Sequence, residues 1–382
     1  MVAVGLMSGT SLDGIDAALV DVRPTGGRYA LELLRFETYP LARDLRERLR
    51  GILPPNAGAI ADAAWLHREL GIVFGGAARA VAGTKKIDFV ASHGQTVWHD
   101  GPAHVTMQLG DAFAIRDLVN ATVCYDFRSA DCAAGGHGAP LVAWIDAVIL
   151  GDAKENRIAL NLGGIANLTL LRAGASPEEA IAFDTGPGNM LLDALLRERT
   201  GGKREFDRDG TTAGAGVVDH DLLDAMLSDA YFAAPPPKTT GRERFGPSFL
   251  ARYERLAQLS LEDAAATLAE LTAASIAQEI ERFGLGAARV IVSGGGARNK
   301  TMIRRLAARV APFAIEPSDA VGIPVDAKEA IAFAVLGYET LRGRTANVPN
   351  ATGAARRVVL GAIAPHDLTD LLAAVQYECN PR

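Results

Sequence analysis

Twice the chain runs an apolar strand into a glycine-rich turn and straight back out through a second apolar strand. Val2 to Leu6 leads into Met7 to Gly14, a loop of Gly, Ser and Thr, and Ile15 to Val22 follows; at 157–171 RIALNLGGIANLTLL repeats the design around Gly163-Gly164. One such hairpin is common. Two, near residues 10 and 163, suggest related halves, and each half must then build its own sheet and core. A length of 382 residues suits two domains at ~150 residues apiece.

The intervening segments fit the same plan. KKIDFVASHGQTVWHD (85–100) reads as a buried strand, Ile87 to Ala91, entering a polar loop. RVIVSGGGARNKTMIRRLAARV (289–310) reads as a strand, three glycines and a helix with Met302, Ile303, Leu306 and Val310 on one face. Residues 261–283 are the best helical stretch: Leu261, Ala264, Leu268, Leu271, Ala274, Ile276 and Ile280 recur at helical intervals without an internal Gly or Pro. Strands alternating with helices, plus hairpins, indicate α/β layers with mixed sheets. AAPPPKTTGRE (233–243) is the one low-complexity stretch and is expected to be an exposed loop, on its residues alone a plain connector.

Composition narrows the partners. Lys+Arg 39 against Asp+Glu 45 gives a net charge of −6, and the charges are scattered, so nucleic acid is not expected as a partner. Cys124, Cys132 and Cys379 form no metal or redox spacing and read as inert thiols of a reducing compartment. MVAVGLMSGTSLDG lacks the basic start of a secretory signal, and no apolar run reaches the ~18 residues of a membrane span. A cytoplasmic protein without membrane contact is therefore expected.

Backbone N–H groups can cradle phosphate only where small residues allow close approach. SGTSLDGID (8–16), NLGGIAN (161–167) and SGGGARN (293–299) all qualify, though each alone is explained as well by a glycine that permits an awkward turn. A P-loop, a dinucleotide fingerprint and a kinase catalytic-loop pattern are absent. Asp184, in AFDTGPGNMLLD, reads as a carboxylate at the end of a strand before a Gly-Pro-Gly turn. It is either a turn or cap residue or an acid able to accept a proton from an attacking hydroxyl or water. His93, His99 and His104 fit no metal pattern; His93, Gln95 and Trp98 instead offer hydrogen bonds and a stacking face for a sugar. DFRSADCAAGGHGAPL (126–141) collects Arg128, Asp131 and His137 in what reads as a polar loop.

The two hairpins and the strand-to-helix glycines resemble the two phosphate loops and the adenosine loop of the actin, hexokinase and Hsp70 ATPase superfamily. The ordered set GLMSGTSLDGID, ASHGQTVWH, DFRSADCAAGGHGAPL, NLGGIAN, FDTGPGNMLLD, PPPKTTGRERF, SGGGARN and DAKEAIAFA resembles, from residue 5 to about residue 338, the anhydro-N-acetylmuramic acid kinases. The resemblance implies a two-domain α/β fold with duplicated ribonuclease H-like mixed sheets around a central ATP cleft. Domain I would span 1–128 and domain II 129–382, with the chain after about 345 packing back on domain I. It also implies hydrolytic opening of the anhydro ring with phosphorylation of O6, in bacterial cell-wall recycling.

By the same resemblance Asp184 is the base and Glu329 a second carboxylate that orients the water. ATP would be held by Gly9, Thr10, Ser11, Leu12, Asp13, Gly14, Ile15 and Asp16, by Gly163 and Gly164, and by Gly294, Gly295, Gly296 and Asn299. Ser11, His93, Gln95 and Arg128 are the expected sugar contacts, Arg128 for the lactyl carboxylate. Mg²⁺ would bridge the phosphates largely through water, without a protein cage, and the family suggests a homodimer. Another sugar kinase or phosphohydrolase of the same fold, or an ATP-driven clamp without catalysis on a sugar, are the competing readings.

Overall fold

The computed structural model describes residues 1–382 except 10–11, 13, 26–27, 55, 57, 242–243, 287 and 380–382. The chain forms two compact units, Met1–Ile149 with Ala327–Arg382, and Leu150–Asp326. The boundary expected at 128/129 falls inside the first unit, and the return comes at Ala327, well before 345. The reason lies in the helix Lys328–Leu341: every residue in it except Glu329 is buried, and it packs on strands of the first sheet. A helix buried on every side has to be enclosed by its own core.

In the first unit β1 (Val2–Ser8), β2 (Gly14–Thr25) and β3 (Arg28–Pro40) form an antiparallel meander. Parallel to β1 lies β4 (Phe89–Asp100), which pairs with the short antiparallel β5 (Val105–Leu109) and with the parallel β6 (Thr122–Tyr125). The second unit repeats this order. There β7 (Asn156–Leu162), β8 (Ile165–Leu171) and β9 (Ile181–Pro187) form the meander, and β10 (Ala288–Ser293) and β11 (Ala314–Pro317) add parallel strands beside β7. The first sheet gains β12 (Ala362–Ala364), antiparallel to β6. The common core order, third-second-first-fourth-fifth, is the duplicated ribonuclease H-like arrangement of the actin, hexokinase and Hsp70 fold.

Each unit has its own apolar core, one including Leu6, Ile15, Leu70, Phe74 and Val90, the other Leu160, Phe183, Leu268, Ile276 and Val292. The helix Leu261–Phe283 has the bounds its pattern predicts and is capped by Ser260, whose side chain accepts from Asp263 N–H. The segment 92–100 differs from its expectation as a polar loop: β4 runs through it, because β5 supplies the partner strand that a local pattern cannot reveal. Cys124 and Cys132 are buried free thiols.

Candidate active site

The candidate residues fall into two clusters, one in each unit. In the first unit, the β1–β2 turn begins with Ser8, whose hydroxyl lies 3.0 Å from the Gly14 carbonyl and 2.7 Å from Gln95 Oε1. Leu12 N–H donates to Gly9 O at 3.3 Å. Gly14 is required by close approach, since a Cβ there would stand 2.8 Å from both Thr38 Cγ2 and Tyr39 O. Thr10, Ser11 and Asp13 lie outside the described residues. Leu12 and Ile15, 2% and 0% exposed, are core side chains, so their expected contribution to a ligand reduces to backbone. Asp16 is half-buried and accepts from Thr38 Oγ1 at 2.6 Å.

Glu329 stands in the first turn of its helix, where the positive end of the dipole favours an anion. Burial pushes its carboxyl above the ordinary range, opposed by the Lys328 ammonium and reinforced by Asp16. Lys328 itself is tied to Asp146 at 2.7 Å in a buried ion pair. Arg128 is half-buried. Its Nη1 donates to Gly138 O at 2.6 Å and its Nε to His93 Nε2 at 2.9 Å, while Nη2 donates to none of the described residues. Behind it, His93 Nδ1 meets Gly94 O at 2.8 Å, which assigns the hydrogen to Nδ1 and leaves Nε2 as the acceptor. Burial and the Arg128 cation hold this imidazole neutral, well below its ordinary pKa.

Two expected sugar contacts thus change character. His93 is 3% exposed with both nitrogens engaged, and Gln95 is wholly buried, taking the Ser8 hydroxyl and donating to Thr96 O. They support Arg128 and the first turn from behind. Asp131 is also structural: its carboxylate takes bonds from Gly138 N–H, Asn347 Nδ2 and Thr352 Oγ1, joining the 128–138 segment to the returning chain.

In the second unit the Gly163–Gly164 turn has its carbonyls engaged. Gly163 O accepts from Asn189 N–H at 2.9 Å, and Gly164 O from Gly188 N–H at 2.8 Å and Met190 N–H at 3.1 Å. Neither glycine donates its own N–H to a backbone carbonyl among the described residues. A Cβ on Gly188 would stand 2.3 Å from Gly163 O, so the Gly-Pro-Gly turn is held flush against the hairpin. Gly294, at φ +80, and Gly296 are pressed against the end of β7: added Cβ atoms would lie 2.5 Å from Asn161 Oδ1 and 2.6 Å from Leu162 Cβ. Gly295 faces open space. Asn299, expected at the nucleotide, caps the following helix, its Oδ1 accepting from Met302 N–H at 3.0 Å.

Asp184 is inside β9, which continues to Pro187, and not at its last position. The β8 partners step from Ala166↔Gly186 to Asn167↔Asp184, so Thr185 is the extra residue of a β-bulge. Bulges re-aim side chains. Phe183 and Thr185 are buried, and the half-buried Asp184 faces the other way. Its Oδ2 accepts from Thr240 N–H at 2.8 Å, its carbonyl from Tyr231 Oη at 2.8 Å, and its N–H donates to Lys238 O at 3.1 Å. The 233–243 stretch is consequently no plain connector: Lys238, only 8% exposed, is part of the support of Asp184. Pattern reading missed Lys238, Thr240, Tyr231 and Glu279. The available signal was Glu279 itself, a charge on the apolar face of the Leu261–Phe283 helix.

Among the described residues no helix is long and apolar enough to cross a membrane. A sequence model of the family described as anhydro-N-acetylmuramic acid kinase matches residues 1–366. A protein of that description from Gloeobacter violaceus is 43% identical over 377 residues, covering 95% of this chain and 98% of that one. One from Streptomyces coelicolor is 42% identical over 374 residues, covering 96% and 94%. Similarity to solved structures is more distant: a ROK family glucokinase from Streptomyces griseus is 14% identical, with a TM-score of 0.39 over 88% of this chain and 99% of that one.

Proposed function

Because this chain belongs to the anhydro-N-acetylmuramic acid kinase family, we propose that it uses ATP and water to convert anhydro-N-acetylmuramic acid into N-acetylmuramic acid 6-phosphate and ADP. In this reaction water forms a bond to C1 as the C1–O6 bond breaks. O6 takes the γ-phosphoryl group, ADP leaves, and one proton departs from the water. Capture of O6 by phosphorus removes the need for a separate acid on the leaving oxygen, which distinguishes the step from ordinary inverting glycoside hydrolysis.

Asp184 is the acceptor of that proton in this reading. The observation that carries it is the carboxylate at the β9 bulge, turned away from the core, with Oδ2 accepting from Thr240 N–H. A proton acceptor must be fixed in direction, and the Thr240 N–H on Oδ2 supports that. Glu329 orients the water. It is supported in that role by its place as the one residue of its helix that is not fully buried. Arg128, with two donors already engaged and Nη2 turned to no described group, is the receptor for the lactyl carboxylate.

ATP is held by backbone. Support for this comes from the Gly163–Gly164 turn, whose N–H groups donate to no backbone carbonyl among the described residues, and from Gly294 and Gly296, where a Cβ would collide with the end of β7. Asp16, near the start of β2 just after the first turn, is suited to the water shell of Mg²⁺, and that ion, when bound, would offset charge on the phosphates.

The decisive experiment measures ADP release with anhydro-N-acetylmuramic acid, with N-acetylmuramic acid and with neither, in ¹⁸O-labelled water. The expected result is ADP only with the anhydro sugar, and label on its C1. Label confined to inorganic phosphate would establish a phosphohydrolase instead. In the same assay Asp184→Asn is expected to lose about 10²–10⁴-fold in turnover with ATP affinity retained; near-normal turnover would move the proton acceptor elsewhere.

A further inference from the structure

Lys238 and Glu279 form an ion pair whose side chains are only 6% and 2% exposed, with Nζ 2.8 Å from Oε1. Such a pair gives little net stability compared with apolar residues of the same volume, because both charges surrender their water. Its arrangement here is specific. Lys238 Nζ also donates to Tyr231 O at 3.1 Å and lies 4.8 Å from the centroid of the Tyr231 ring and 6.0 Å from that of Phe183. The Arg282 guanidinium lies 3.3 Å from the same Glu279 oxygen. Desolvation lowers the Lys238 pKa and Glu279 opposes it.

Three bonds run from this anchor to Asp184. Tyr231, held at its carbonyl by the ammonium, donates its hydroxyl to Asp184 O; Lys238 O takes Asp184 N–H; Thr240, two residues on, donates its N–H to Oδ2. Among the described residues β9 is the last strand of its sheet, so no further described strand fixes this edge. The 238–240 segment does so in its place.

We infer that Lys238 and Glu279 are positioning residues for Asp184: their buried pair clamps the 238–240 segment to the β9 edge and so fixes the direction of the carboxylate at the reacting water. The inference rests on reading Asp184 as the proton acceptor. Lys238 touches neither sugar nor nucleotide in this scheme; it acts through Tyr231 and Thr240. Misaiming a catalytic group by a fraction of an ångström lowers the chemical step without weakening nucleotide binding.

The test replaces both charges at once. Lys238→Met/Glu279→Leu exchanges the pair for apolar side chains and is expected to keep Tm within about 4 °C. The KM for ATP should stay within about threefold while kcat falls at least ~tenfold. In an Asp184→Asn background the same exchange should change the residual rate by less than about twofold, since the group being aimed is already gone. A double variant with kcat within about threefold of the parent overturns the inference, as does an equal loss in the Asp184→Asn background. Should the double variant not fold, Lys238→Met alone removes the ammonium that holds Tyr231 O while Arg282 still faces Glu279, and the same readouts apply. Failure of the premise is separately visible: Asp184→Asn would then turn over normally.

Discussion

Asp193, in the helix Met190–Arg199 that follows the Gly-Pro-Gly turn, shows how one side chain makes stability depend on pH. Burial pushes its carboxyl from the ordinary 3.8 up to about 7, against the pull of Arg197 and with the help of Asp207 and Glu205. Below pH 4 folded and unfolded chains both hold the proton. Between pH 4 and 7 only the unfolded chain releases it, so stability falls as pH rises through that window. The fully buried limit is about 4 kcal/mol, and partial solvent access discounts it to roughly 2. Asp193→Asn should therefore stabilise the protein by roughly that amount at pH 8 and by almost nothing at pH 4, read from urea unfolding at the two pH values. Single residues were also where sequence reading was strongest and weakest. Asp184 stands out locally because an acid closes an apolar run before a Gly-Pro-Gly turn, whereas Glu329, in DAKEAIAFA, is singled out by the family resemblance alone. His93 and Gln95 have the same local look, yet partners far along the chain, Arg128 and Ser8, take His93 Nε2 and Gln95 Oε1.

At the scale of elements, glycine sets the spacing of layers. A Cβ on Gly5 of β1 would stand 1.8 Å from Ala330 O in the Lys328–Leu341 helix, so strand and helix meet backbone to backbone one residue from Glu329. Gly5→Ala must push that helix outward. The expected cost is about 1–3 kcal/mol of overpacking, measured by thermal unfolding, with turnover reduced more than sugar or ATP affinity. Both hairpins, the 261–283 helix and the glycine turn into the 300–310 helix were legible from period and breakers alone. The bulge at Thr185 and the length of β4 were not, since each is decided by which strand lies alongside: β8 in one case, β5 in the other.

At the scale of the molecule, the sequence showed two related halves but misplaced their limits, because the 328–341 helix reads like any apolar helix and its address is set by the core that needs it. The second unit is one continuous stretch, Leu150–Asp326, whereas the first is assembled from Met1–Ile149 and Ala327–Arg382. A fragment of residues 150–326 is expected to melt cooperatively. Residues 1–149 alone are expected to bind a hydrophobic dye and melt without a transition, and adding residues 327–382 in trans should restore cooperativity. If 1–149 folds unaided, the returning helix is an accessory to that core. The split also orders events on the ribosome. Domains tend to fold as they emerge, so the stretch translated in the middle can reach its native state while the strands that left the tunnel first still wait for a helix not yet made. Residues 1–149 are made before 150–326 and mature after them, and it is that earlier stretch which must be kept from aggregating during synthesis.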